Sequence, residues 1–138
     1  MKNIPAIFVV LLLFFSCSVP KGVVTLEPNN GNTEQEDSVE YELIVLDTGF
    51  ETWYLLHDSP ARYRSQQYYE GWNRQYVLAW NAYASQPGRR SFFQSIIGYE
   101  PNVDYGFELN HKLFHYFQYV EQVLKIPILN NRPSGVLF

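Results

Sequence analysis

Asp47, Thr48 and Gly49 follow directly on the apolar run Leu43-Ile44-Val45-Leu46. A carboxylate held at the end of such a strand can activate water when a second carboxylate shares its proton. His111 and His115 stand four apart, with Glu108 three residues before the first. On a helix this spacing puts both imidazoles on one face, where they could ligate zinc or copper. Asp104 and Glu108, with Glu70 and Glu100, could supply the two carboxyls that hydrolysis of a glycosidic bond needs across a cleft. Trp72, Asn73, Arg74 and Tyr105 are of the types that line a binding groove, flat rings beside polar groups. Cys17 is the single cysteine, and it ends an apolar stretch where a thiol could accept a lipid.

Each chemistry has requirements that the surrounding residues meet or miss. The Asp-Thr-Gly triplet resembles the catalytic loop of aspartic peptidases, and Ile96-Ile97-Gly98 resembles an apolar-apolar-Gly element of the same enzymes. Their fold is nearly all β, Phe50 stands where they carry Ser or Ala, and a domain this small would have to dimerise. The plainer expectation is a strand that ends at Asp47 in a tight turn. Lys112 follows His111 where a zinc peptidase needs Glu, and the second Glu-x-x-His copy of a di-iron bundle is missing. With His57 as the third and last histidine, the pair is expected at the surface or half-buried beside a core stripe, holding no metal. Asp104, Glu108 and Glu70 suit the starts of helices, where the dipole favours negative charge. There is no Gly-rich phosphate loop, no Gly-x-Ser-x-Gly elbow and no zinc-finger spacing, so no cofactor is expected.

The elements that must position these residues are legible from Tyr41 onward. Tyr41 to Asp47 reads as a strand covered on both faces, because its apolar run is unbroken. Phe50 to Leu56 is short enough for a helical turn or a second strand. Ser65 caps a helix through about Ala84, with Tyr69, Trp72, Tyr76, Ala79, Trp80 and Tyr83 as its core stripe. Ser91 to Tyr99 is open between strand and helical turn. A second helix starts near Asp104 and runs to about Leu124, with Leu109, Leu113, Tyr116, Phe117, Val120 and Leu124 on its apolar face. Lys125 would then sit at its C-terminal end, where a cation suits the dipole. Ile126 to Leu129 could add a short edge strand, which Pro127 keeps out of a sheet interior. The expected fold is α+β, with two long amphipathic helices packed on a small sheet in one aromatic-rich domain, residues 41–138.

Residues 1–16 read as a signal peptide. The apolar run Ile4 to Phe15 follows Lys2 and is shorter than the roughly 20 residues a membrane-spanning helix needs. Small Ser16 precedes Cys17, which resembles a bacterial lipoprotein signal cut before a lipidated, palmitate-bearing cysteine. Phe14 and Phe15 depart from the first two positions of that motif. The rest of 17–40 reads as a disordered acidic linker: it has no aromatic residue, and Glu27, Glu34, Glu36, Asp37 and Glu40 stand against Lys21 alone. The chain's net charge of −4 belongs to this segment. From Tyr41 on, nine acids face eight Lys or Arg, so no basic field exists to attract nucleic acid.

The stretches YELIVLDTGFETWYL, YYEGWNRQYVLAWN and DYGFELNHKLFHYF resemble a family of small uncharacterised Gram-negative lipoproteins, a domain of unknown function. The resemblance runs from Tyr41 to Ile128 and implies a lipoprotein location without a reaction, ligand or catalytic residue. Ser18 is not the Asp of inner-membrane retention, and Val19-Pro20-Lys21 lacks the acidic cluster of surface export. The expectation is an outer-membrane lipoprotein whose domain faces the periplasm. It would be joined to the membrane through its N-terminal lipid and bind an envelope protein or glycan without catalysis. The alternative is a periplasmic hydrolase of glycan or peptide using carboxylates among Asp47, Asp104 and Glu108.

Overall fold

A computed structural model describes residues 21–29, 40–88 and 92–134. The domain is α+β, three helices and a two-stranded antiparallel sheet around an aromatic core. Strand β1, Val24–Pro28, pairs with β2, Tyr41–Val45, in the register Val24 to Val45 and Pro28 to Tyr41. Alternation decides the faces. Val24 and Leu43 are buried with Leu26, Tyr41 and Val45 packed beside them, while Glu27 and Glu42 lie opposite each other in solvent.

This corrects the expected linker over 21–29; the signal peptide expected over 1–16 and the linker residues 17–20 and 30–39 lie outside the described residues. Residues 21–29 belong to the domain, and Val24 is 0% exposed. Composition marked the segment as polar, but Val24, Thr25, Leu26 and Glu27 alternate with the period of a half-buried strand. Gly22 is pressed so close to Trp80 that a Cβ would come within 2.5 Å of the indole. It pairs in parallel with Phe93, giving its N–H to the Phe92 carbonyl at 2.8 Å and accepting from the Gln94 N–H at 3.0 Å. The expected double-sided burial of 41–47 is corrected as well. A two-stranded sheet has one core face, so Ile44 is half-buried and Leu46, just beyond β2, is 68% exposed.

Asp47 begins a helix rather than a tight turn. Its Oδ1 accepts from the N–H groups of Gly49 at 2.9 Å and Phe50 at 3.3 Å, capping α1, Thr48–His57. The stretch from Phe50 to Leu56 is therefore helical, and Phe50 plugs the core against Tyr116 and Tyr119. After a 3₁₀ turn at Pro60–Arg62, Ser65 caps α2, Gln66–Ala84, as expected. Its buried stripe is Tyr69, Asn73, Tyr76, Val77, Trp80 and Ala84, so Trp72, Ala79 and Tyr83 flank the core instead of centring it. The segment 92–105 buries Phe92, Phe93 and Ile97 and is irregular. Asn81 holds it by bonding both the N–H and the C=O of Ile97.

Helix α3, Gly106–Gln122, begins two residues after Asp104. That carboxylate still accepts from the Gly106 N–H at 2.9 Å. The helix is not amphipathic in use. It is enclosed from Leu109 to Glu121, with half-buried Lys112 as the break in an otherwise buried run. Beyond it Lys125 turns the chain with φ 59°, and Ile126 gives its N–H to the Val120 carbonyl. No strand forms over Ile126 to Leu129. The N–H groups of Ile128 and Leu129 each reach Glu121 Oε1 at 2.9 Å, and Arg132 closes on Oε2 at 3.5 Å, so the start of the expected loose tail is held. Residues 135–138 of that tail lie outside the described residues.

If 21–29 are part of the fold, Val24→Asp buries an unpaired carboxylate and costs at least about 3 kcal/mol in urea unfolding. Glu27→Lys, which relieves the like-charge pair with Glu42, gains about 0.5 kcal/mol. A linker would show neither effect.

Candidate functional site

Residues from three elements enclose an open groove. Glu40, Tyr41, Glu42 and Leu43 of the β2 segment, with Asn29, form one side. Tyr54 of α1 and Glu108, Leu109 and Lys112 of α3 form the other, around a hollow of about 280 Å³. A second hollow of about 390 Å³ shares Glu40, Tyr41, Glu108 and Leu109 and extends to Asp104, Tyr105, Gly106 and Phe107. Tyr41 meets Tyr105 edge-on at 4.8 Å between centroids, so the tyrosines join strand to helix at this wall. The charge is one-sided. Four carboxylates, Glu40, Glu42, Asp104 and Glu108, border the groove, and the Lys112 ammonium is held 2.9 Å from Glu51. A ligand here meets negative charge.

Behind the groove lies a partly buried polar cluster. The Tyr54 hydroxyl and His111 Nδ1 are 2.8 Å apart. His111 Nε2 lies 3.8 Å from Asp58 Oδ1, which accepts from the Tyr63 hydroxyl at 2.7 Å. His115 Nδ1 donates to the His111 carbonyl at 2.8 Å. The two imidazole centroids are 4.1 Å apart, walled by Tyr69, Phe107 and Phe114. Burial lowers the His111 pKa to about 4, helped by His115 and opposed by Asp58. Burial lowers His115 too. The Tyr63 phenol is pushed up to about 12, chiefly by its hydrogen bond to Asp58.

Hydroxyl, imidazole and carboxylate thus stand in the order of a nucleophile relay. Two facts turn the cluster toward support instead. At 3.8 Å the His111–Asp58 contact is not a hydrogen bond. Burial, with Asp58 next, raises the pKa of Tyr54 and keeps its phenol protonated.

The sequence candidates separate in space. Asp47 is engaged as the α1 cap. Asp104 holds Gln66 Nε2 at 2.7 Å besides the Gly106 N–H, and Glu108 is exposed on the first turn of α3. Of these three, Asp104 and Glu108 share the groove and Asp47 does not. The histidines expected near the surface are inside, His111 at 1% and His115 at 8% exposure, because α3 is enclosed. Their spacing does bring them together, yet Tyr54 and the backbone occupy both Nδ1 atoms. His57 bonds the Trp53 carbonyl and stacks on that indole. Among the described residues no group of three or more His, Cys, Asp or Glu could hold a metal.

Trp72, Asn73, Arg74 and Tyr105 do not form one surface. Trp72 is half-buried. Asn73 is wholly buried and gives its amide to the Asn110 carbonyl and Oδ1. Arg74 is exposed beside Glu70 and donates to the Pro101 carbonyl. Tyr105 is buried against the 98–100 turn and alone borders the groove. Successive helical residues point about 100° apart, so three in a row cannot share a face. Sequence reasoning missed Glu40, Glu42, Tyr41, Tyr54 and Lys112 as neighbours. Alternation in Tyr41-Glu42-Leu43 hinted at an exposed acid, but nothing local shows that this strand end meets the first turns of α3. Cys17 lies outside the described residues.

The fold and groove define a small α+β domain with an aromatic core and an acidic cleft between strand and helix. The chain belongs to a family of unknown function, DUF6146, whose model matches residues 6–132. No curated protein and no solved structure matches it. No described helix is long and apolar enough to cross a membrane.

The depressed histidines set a pH dependence. An unfolded chain binds protons on His111 and His115 near pH 6.5, and the folded chain resists until about pH 4 for His111. Stability is therefore full above pH 6.5 and falls as pH drops toward 4, by up to about 3 kcal/mol from His111. Urea midpoints across that range check this, and His111→Gln should flatten the profile.

Proposed function

We propose that this chain is a cell-envelope lipoprotein, acylated on Cys17, whose domain binds an envelope protein or glycan without catalysis. The observation that carries the binding reading is the groove between β2 and α3, open to solvent and bordered by tyrosines and carboxylates. His111, His115, Asp58 and Tyr63 lie behind it, and the Tyr54 hydroxyl on its wall is tied to His111. The location rests on the sequence: the short apolar run before Cys17, with a family model that extends across that segment. Lipid on the sole cysteine would leave no thiol for chemistry. The mature protein would sit in the outer membrane with its domain toward the periplasm.

A hydrolase is the competing reading, since Asp104 and Glu108 border one hollow with Glu40. Against it, Asp104 Oδ1 is committed to Gln66 and to the start of α3.

Two measurements test the proposal. The full chain expressed in a Gram-negative host should incorporate labelled palmitate and fractionate with membranes, and Cys17→Ser should lose both properties. The protein titrated with soluble peptidoglycan fragments and envelope-derived peptides should show saturable binding and return every ligand intact by mass spectrometry. Turnover that falls about a hundredfold or more in Asp104→Asn or Glu108→Gln would replace binding with hydrolysis.

A further inference from the structure

Among the described residues the hydrogen-bond register of the hairpin leaves one strand edge open. Asn29 gives its N–H to the Glu40 carbonyl, and Leu46 gives its N–H to the Val23 carbonyl at 3.2 Å. In an antiparallel ladder bonded and non-bonded pairs alternate. Glu40, Glu42, Ile44 and Leu46 therefore face β1, and Tyr41, Leu43 and Val45 direct their N–H and C=O groups away from it. Among the described residues no hydrogen bond meets those outward groups.

The other edge of the hairpin is bonded at its Gly22–Val24 end. Val24 exchanges bonds with Ser95 Oγ, its N–H donating and its C=O accepting, each at 3.0 Å. Gly22 pairs with residues 92–94, and Pro28 has no N–H to offer.

The Tyr41 to Leu43 part of the open edge runs into the groove. Side chains of successive strand residues point to opposite faces, so a hollow lined by four in a row, Glu40 to Leu43, follows the strand's edge. Its far wall is Tyr54, Glu108, Leu109 and Lys112.

We infer that the outer edge of β2 takes an extended basic segment of a partner protein as an added strand in this groove. The inference rests on the binding reading above and names the partner's chemistry. Main-chain bonds to Tyr41 and Leu43 in the groove, continued to Val45 beyond it, supply the docking, and alternate side chains supply selectivity. Charge selects the occupant. Glu40, Glu42, Asp104 and Glu108 border the hollows, and Lys112 is engaged by Glu51. Lys or Arg at alternate positions of the incoming strand would neutralise them. A second copy is disfavoured, because joining two β2 edges gathers the acids of both onto one ribbon.

The test uses the full chain, isotope-labelled, with three synthetic probes of about eight residues. One alternates Lys and Thr, one alternates Glu and Thr, and one is the Lys–Thr peptide N-methylated at every second residue. The Lys–Thr peptide should slow amide exchange at Tyr41, Leu43 and Val45 about tenfold at saturation, and the Glu–Thr peptide should not. N-methylation should weaken binding about tenfold while leaving charge unchanged. Glu108→Lys, at an exposed position, should weaken the Lys–Thr peptide several-fold and leave the fold intact by circular dichroism.

Equal binding of methylated and plain peptides would overturn the inference. So would protection of the three amides in the free chain, or a dimer protected without peptide. If those amides ignore the peptide while peptidoglycan fragments still bind, this inference fails and the binding reading stands. If no ligand binds and a substrate is turned over, both fail.

Discussion

Everything in this domain is arranged around the enclosure of α3. A helix surrounded from Leu109 to Glu121 must satisfy its polar side chains from inside the protein, and among the described residues only the Tyr116 hydroxyl of that run is buried without a hydrogen-bond partner. Asn110 accepts from Asn73 of α2 and from the Tyr99 hydroxyl. His111 meets Tyr54 of α1, and Gln118 donates to the Tyr76 hydroxyl, which in turn donates to Glu121. Glu121 also gathers the N–H groups of Ile128 and Leu129. The bonds come from four parts of the chain, so the polar groups of one helix set the placement of α1, α2, the 92–105 segment and Ile128-Leu129. An unmet group here would cost about 1–3 kcal/mol, which gives the arrangement its selectivity.

The aromatic core follows from the same enclosure. Leu and Ile alone would leave those polar groups unpaired, whereas Tyr brings a large apolar ring and a hydroxyl together. Tyr76 stacks on Phe117 at 4.8 Å while its hydroxyl bonds Glu121. Trp80 packs edge-on to Phe93 and donates to the Ser95 carbonyl, which also ties the 92–95 segment to the outer side of β1. That edge of the hairpin is thereby bonded at Gly22 and Val24, while among the described residues nothing bonds the outer edge of β2. The core and the proposed docking edge are thus two consequences of one packing scheme.

Where sequence reading succeeded, the signal was local. Ser65 and the recurring aromatics marked α2 because a cap and a 3.6-residue period act within one helix. The boundaries of α3 were within two residues for the same reason. It failed where distant partners decide. Residues 24–28 look like linker by composition, yet Trp80 and Ser95 supply the burial and the bonds that make them a strand. The Asp-Thr-Gly triplet, expected to form a tight turn after the strand, instead begins α1 under the Asp47 cap. The i, i+4 histidines, expected at the surface or half-buried, lie inside, with Nδ1 of His111 at the Tyr54 hydroxyl and Nδ1 of His115 on the backbone.

The amino-acid sequence by itself determined the helical periods, the caps, the concentration of aromatics after Tyr41 and the apolar run that ends at Cys17. These depend on neighbours a few positions away, and residue type is sufficient to encode them. Tertiary structure alone decided that α3 is enclosed, that His111 and His115 are neutral inside it, and that the acidic end of β2 faces Glu108 across a groove. Those outcomes join residues some 40 to 80 positions apart, and burial, not residue type, sets their chemistry.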